Sequence, residues 1–101
     1  MSVLVNFAMF PTDKVGSMSP YVAKLEKAIR DQGYPSQLTA MSTIVETPTL
    51  AEAFKVMQAA YDALTPDCKR VYVSATFDIK AEGENRLEGK VKSVEEKIAR
   101  G

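Results

Sequence analysis

From Ser2 to Phe10 the chain alternates, with Val3, Val5, Phe7 and Met9 on one side and Leu4, Asn6, Ala8 and Phe10 on the other. A period of two predicts a strand, and its second side is mixed rather than cleanly polar. Pro11, Asp13 and Gly16 mark a loop. Ser19-Pro20 reads as an N-cap followed by proline at the first helical position. Val22, Leu25 and Ile29 then recur at helical spacing up to Gly33, which predicts a helix of about four turns. Tyr34-Pro35 reopens the chain, and Gln37 to Glu46 reads as one long or two short strands bending near Met41–Ser42. Thr49 and Glu52 form a capping box ahead of an apolar stripe made by Leu50, Ala53, Phe54, Met57, Ala60, Tyr61 and Leu64. Thr65-Pro66-Asp67 ends that helix. Arg70 to Ile79 alternates again, Lys80 to Arg86 is a polar loop, and Leu87, Val91, Val94 and Ile98 line a charged final helix.

The element order is strand, helix, strand, strand, helix, strand, helix, within one domain spanning residues 1–101. This predicts an α+β, ferredoxin-like βαββαβ fold: a four-stranded antiparallel sheet, two helices on one face and a C-terminal helix added. Right-handed crossovers place both main helices on the same side. The Val3/Val5/Phe7/Met9 and Val71/Val73/Ala75/Phe77 faces are then expected beneath them. The other face, with Asn6, Ala8, Tyr72, Ser74 and Thr76, has nothing obvious to cover it. Such a surface is expected to meet a second copy, a ligand or both. The final helix is expected either to close over its own sheet or to pack on a neighbour.

Composition removes whole classes of chemistry. The 101 residues include 13 Lys plus Arg and 13 Asp plus Glu, so the formal charge is zero and phosphate neutralisation is not a plausible mode of binding. Nucleic acid and membrane insertion are therefore not expected. There is no His, which excludes Ser–His and Cys–His nucleophile pairs and imidazole metal sites. Cys68 is the single cysteine, so no intrachain disulfide or thiolate metal cluster forms, and a reducing cytoplasm is the expected setting. Lys69 and Arg70 beside Cys68 would favour its thiolate, but no base or second thiol accompanies it. No catalytic residue, metal ligand or cofactor site is expected.

Several segments together resemble a known family. LTAMSTIVE at Leu38–Glu46, KRVYVSATFDI at Lys69–Ile79 and LEGKVKSVEEKI at Leu87–Ile98 are similar to the YkoF-like thiamine-binding protein family, as are Phe10-Pro11 and SPYVAKLEKAI at Ser19–Ile29. The resemblance implies a ferredoxin-like domain that assembles as a homodimer or a dimer-of-dimers tetramer. It implies binding of thiamine or its hydroxymethylpyrimidine half between subunits, rather than catalysis. Thr39, Met41, Thr43 and Glu46 match the family's central strand pair, Arg70 the start of its last strand, and Lys90 with Val94 its final helix. Asn6 stands where such sequences often carry a carboxylate, and Ser42 and Thr47 where they often carry glycine.

Thiamine presents a flat aminopyrimidine and a cationic thiazolium, which call for apolar walls, edge hydrogen bonds and negative or π density. Glu46 is the candidate acceptor for the exocyclic amine or the counter-charge for the cation. Thr39, Thr43, Ser74 and Thr76 are candidate hydroxyl partners, and Asn6 offers a donor and an acceptor. Phe10, Met41 and Tyr72 are candidate walls. Two other classes stay open: an ACT-like regulatory module that senses a small molecule between paired domains, and a small dimeric ferredoxin-like enzyme using Glu46 and Asp78.

Overall fold

A computed structural model describes all 101 residues, Met1–Gly101. Strand β1 spans Ser2–Pro11, helix α1 Ser19–Asp31, strands β2 and β3 Ser36–Leu38 and Thr43–Thr47, helix α2 Leu50–Leu64, strand β4 Val71–Lys80 and helix α3 Arg86–Ala99. The sheet runs in the order β2-β3-β1-β4. All three pairings are antiparallel. This is the expected α+β ferredoxin-like architecture. No helix is long and apolar enough to cross a membrane.

Alternation along β1 sets the two faces. Val3, Val5, Phe7 and Met9 point to the helices and are buried, together with Val45 of β3. Leu25 and Ile29 of α1, and Ala53, Val56, Ala60 and Leu64 of α2, close over them. Burying such side chains supplies ~1.5–3 kcal/mol each before entropy is counted. Cys68 is 7% exposed and packs into this core, where it acts as a small apolar filler.

Local signals hold with adjustments. Gly33 has φ +83° just past the end of α1, the left-handed position that glycine tolerates best. Ser19 is not the N-cap of α1; Met18 holds that position without a side-chain cap, and Ser19 with Pro20 occupies the first turn. Thr49 does cap α2, accepting the Glu52 N–H at 3.2 Å. Strand β4 departs from the expectation of burial. Only Val71 and Ala75 pack on the core. Val73, Phe77 and Ile79 remain 41%, 37% and 48% exposed, because β4 is an edge strand that the two helices overhang only in part. Phe54 of α2 reaches it through a T-shaped contact with Phe77, their centroids 5.6 Å apart.

Helix α3 buries no residue. It is fastened by its N-terminus to the helix-free face of the sheet and leaves Val91, Val94 and Ile98 more than half exposed. The molecule is accordingly elongated, 47 × 30 × 20 Å. The rest of that sheet face stays open.

Candidate functional site

The nine residues singled out from the sequence divide into two groups. Pairing of Phe10 with Tyr72, Ala8 with Ser74 and Asn6 with Thr76 sets these side chains together on the helix-free face. Glu46, opposite Leu4, shares that face at its other end. Thr43 lies opposite Phe7 and so points the other way, towards α1. Thr39 and Met41 lie in the turn between β2 and β3.

Glu46 is 7% exposed and its oxygens are engaged. Oε2 accepts the Ser2 hydroxyl and the Arg86 backbone N–H at 3.0 Å, and Oε1 accepts the Leu87 N–H at 2.9 Å. Burial pushes its carboxyl up, but these hydrogen bonds and the nearby Arg86 guanidinium outweigh burial and hold it below the ordinary value. Glu46 thus serves as the N-terminal cap of α3. The Arg86 guanidinium locks the junction, donating to the carbonyls of Ser2 and Asp78 at 2.7 Å each and to the Asp78 carboxylate at 2.8 Å. Asp78, with Lys90 and Arg86 on it, is likewise held low.

An apolar space lies elsewhere, at the far end of β1. A cavity of about 290 Å³ opens between Phe7–Phe10, the first turns of α1 and the β2–β3 turn. Phe10, Thr39, Met41 and Thr43 border it, so four of the nine candidates meet there. Met18, Val22 and Leu25 of α1 supply the facing wall. The turn is held by Thr39, whose hydroxyl donates to the Ser42 carbonyl at 2.9 Å and accepts the Ser42 N–H at 3.0 Å. Met41 stands 87% exposed at the rim.

The cavity exists because β3 is shorter than β1. Their pairing stops at Phe7 opposite Thr43, while β1 continues to Pro11 against β4. The Thr12 N–H donates to Arg70 on the β4 side at 2.8 Å. Antiparallel alternation then turns Phe10 and Ala8 to β4 as well, and directs the N–H and C=O of Met9 to the vacated side. Met9 therefore brings one unpaired donor and one unpaired acceptor to the wall. Pro11, the next residue facing that side, has no N–H to offer. Phe10 links the two groups of candidates, since its ring packs against Tyr72 with centroids 5.4 Å apart.

Sequence reasoning missed Glu26. It is 5% exposed, and Oε2 accepts the Thr43 hydroxyl at 2.6 Å. The signal was its spacing: Val22, Glu26 and Ile29 fall on one helix face, an unusual place for a charge. No three His, Cys, Asp or Glu side chains converge on a point that could hold a metal ion.

The thiamine-binding protein family matches residues 5–95 of the chain. A UPF0045 protein of Mycobacterium bovis is 32% identical over 100 residues, covering 99% of this chain and 98% of the relative. A hypothetical protein of Methanocaldococcus jannaschii, solved by crystallography, superposes with a TM-score of 0.79 at 29% identity, over 94% of this chain and 97% of the other. A candidate thiamine biosynthesis/salvage protein of Thermotoga maritima has the same fold, with a TM-score of 0.80 at 21% identity over 93% and 99% of the two chains. Matched along nearly its whole length, the chain belongs to the thiamine-binding protein family.

Proposed function

We propose that this protein binds thiamine, or its hydroxymethylpyrimidine half, without transforming it, and does so as a homodimer or a dimer of dimers. The observation that carries the reading is the apolar cavity of about 290 Å³ whose wall contains the unpaired peptide group of Met9. Small-molecule sites are commonly apolar pockets of ~300–1,000 Å³ with a few polar groups that fix orientation. An aminopyrimidine suits this one, because its edge carries an amino donor beside a ring-nitrogen acceptor. The Met9 C=O and N–H supply the complementary pair. Family membership and the fold shared with the Thermotoga maritima protein support the same ligand class.

The thiazolium would extend towards the rim, where Met41 and the Phe10–Tyr72 pair offer polarisable and π density. Asn6, Tyr72, Ser74 and Thr76 then face a second copy across the open sheet surface. Phe10 borders both the cavity and that surface, so a partner seated there would help to close the mouth. Glu46 contributes by holding α3 at the margin.

Isothermal titration with thiamine and with 4-amino-5-hydroxymethyl-2-methylpyrimidine tests the reading. Saturable binding of at least one, with backbone amide shifts at Ala8–Phe10 and Thr39–Thr43, is the expected result. Absence of heat and of thermal stabilisation with both at millimolar concentration would exclude it.

A further inference from the structure

Glu26 is the most anomalous side chain of α1. It is 5% exposed, yet it is an acid with no cation on it. The ion pairs of the molecule join Lys24 to Asp67, Lys27 to Asp31, and both Arg86 and Lys90 to Asp78. Oε2 accepts the Thr43 hydroxyl at 2.6 Å, whereas Oε1 is buried with no hydrogen-bond partner. A buried polar atom left unpaired opposes folding, and such atoms are rare enough that each calls for an explanation. Surface solvation does not supply one here.

Its surroundings do. Glu26 borders a wider cleft of about 820 Å³ between α1 and the β2–β3 turn. Thr43, its hydrogen-bond donor, borders the apolar cavity of about 290 Å³. The two spaces share Met18, Val22, Leu38, Thr39 and Ala40, so they adjoin as one trough, with Thr43 lining one part, Glu26 the other, and the hydrogen bond between them joining the two. The cleft that Glu26 borders is mixed, with Ser19, Lys27, Arg30 and Asp31 beside Val22 and Leu38, so its carboxyl group is an acceptor where a polar cleft meets the apolar cavity. Thr43 holds one of its oxygens, and the other is left buried with no partner in the protein.

We propose that Glu26 determines which ligand the trough takes: Oε1 accepts an N–H from an amino-substituted, flat heteroaromatic ring. The proposal rests on the reading that this site takes an aminopyrimidine, and adds the atom that discriminates. A carboxylate accepts and does not donate. A ring with an amino group at that edge completes the pairing, whereas a ring with a carbonyl oxygen there sets two acceptors against each other. Sites built to pair one buried polar group reject analogues that cannot pair it far more strongly than apolar pockets reject a change of size.

The test compares 4-aminopyrimidine with 4-pyrimidinone, and thiamine with its 4-oxo analogue, by calorimetry and amide shifts on the unaltered protein and on Glu26→Gln. The unaltered protein is expected to bind each amino compound at least tenfold more tightly than its oxo counterpart, with shifts at Glu26 and Thr43. Glu26→Gln, which can also donate, is expected to reduce that preference to less than threefold. Thr43→Val is expected to weaken amino-compound binding and Thr43→Ser to retain it, which gives a second reading should the glutamine variant fail to fold. Binding of 4-aminopyrimidine that is lost in Glu26→Gln, with no binding of thiamine, removes thiamine as the ligand but keeps the role of Glu26. Equal affinity for amino and oxo rings, an unchanged preference in Glu26→Gln, or no binding of either small ring overturns the proposal.

Discussion

Glu46, in the strand at the centre of the fold, accepts the backbone N–H of Leu87 at 2.9 Å across 41 positions of sequence. With the Arg86 N–H on its other oxygen, one strand side chain satisfies two of the four orphan donors at the start of α3. A carboxylate at this end of a helix also opposes the positive end of the dipole. Asn85, which precedes the helix, makes no side-chain cap and sits in the left-handed region at φ 52°. Capping has thus been delegated from the residue adjacent in sequence to one adjacent in space.

Replacing Glu46 by Gln should therefore act first on α3. The amide retains one acceptor but turns a donor towards N–H groups, and the charge assistance disappears. Hydrogen bonds to charged groups contribute about 1.5–3 kcal/mol. A loss of about 2 kcal/mol corresponds to a fall in Tm of ~8–16 °C for a domain of this size. Thermal unfolding followed by circular dichroism, together with faster amide exchange over residues 86–99, checks it. An unchanged melting temperature would show that the cap contributes nothing to stability.

Acid should reproduce the same loss in the native protein. The Glu46 carboxyl lies below its ordinary value of 4.5 when folded, so the folded state holds this proton less tightly than the unfolded chain. The stabilisation is then fully present above pH 4.5 and disappears as pH falls through the lower, folded value. The difference in stability between the native protein and Glu46→Gln should be constant from pH 7 to about pH 5 and shrink steadily below it. A difference that does not depend on pH would rule out this linkage. Asp78 titrates in the same direction but is about half exposed, so solvent screens its share.

How much of this could be read in advance differs by element. The strands and helices follow from alternation and helical spacing, and the antiparallel order follows from their sequence. Thr43 and Glu46 read together as one site because the family resemblance puts both in the central strand pair. Three positions along a strand, however, put them on opposite faces, one towards α1 and the other towards α3. Spacing puts Glu26 on the Val22/Ile29 face of α1, and the Thr43 hydroxyl of β3 closing on it is what makes it a buried acid. The cavity itself depends on where β3 stops relative to β1. Hydrophobic pattern places both strands without specifying that offset.

The open sheet face yields a prediction about assembly. Tyr72 is 54% exposed there, beside Ser74 and Thr76 and without a covering element. If a second copy covers this face, Thr76→Arg buries a cation in each half of a symmetric contact. Like charges brought together in a desolvated interface cost several kcal/mol. Sedimentation equilibrium should find the native protein as a dimer or tetramer and the variant dissociating at least tenfold more readily. A monomeric native protein, or a variant that assembles normally, would place the contact elsewhere.

The trough and the open face can also be separated experimentally, because Val22 borders the trough from α1 whereas Tyr72 and Thr76 lie on the helix-free face of β4. Val22 is only partly buried, so Val22→Trp can extend into the cavity of about 290 Å³ without forcing core side chains apart. Occupying that space should weaken thiamine or hydroxymethylpyrimidine binding at least tenfold, about 1.4 kcal/mol. Melting temperature and oligomeric state should be little changed, since neither the buried core nor the open sheet face is altered. Calorimetry beside sedimentation resolves the cases. Intact affinity in Val22→Trp would move the ligand out of the trough and onto the sheet surface, where Asn6, Tyr72, Ser74 and Thr76 would then have to hold it.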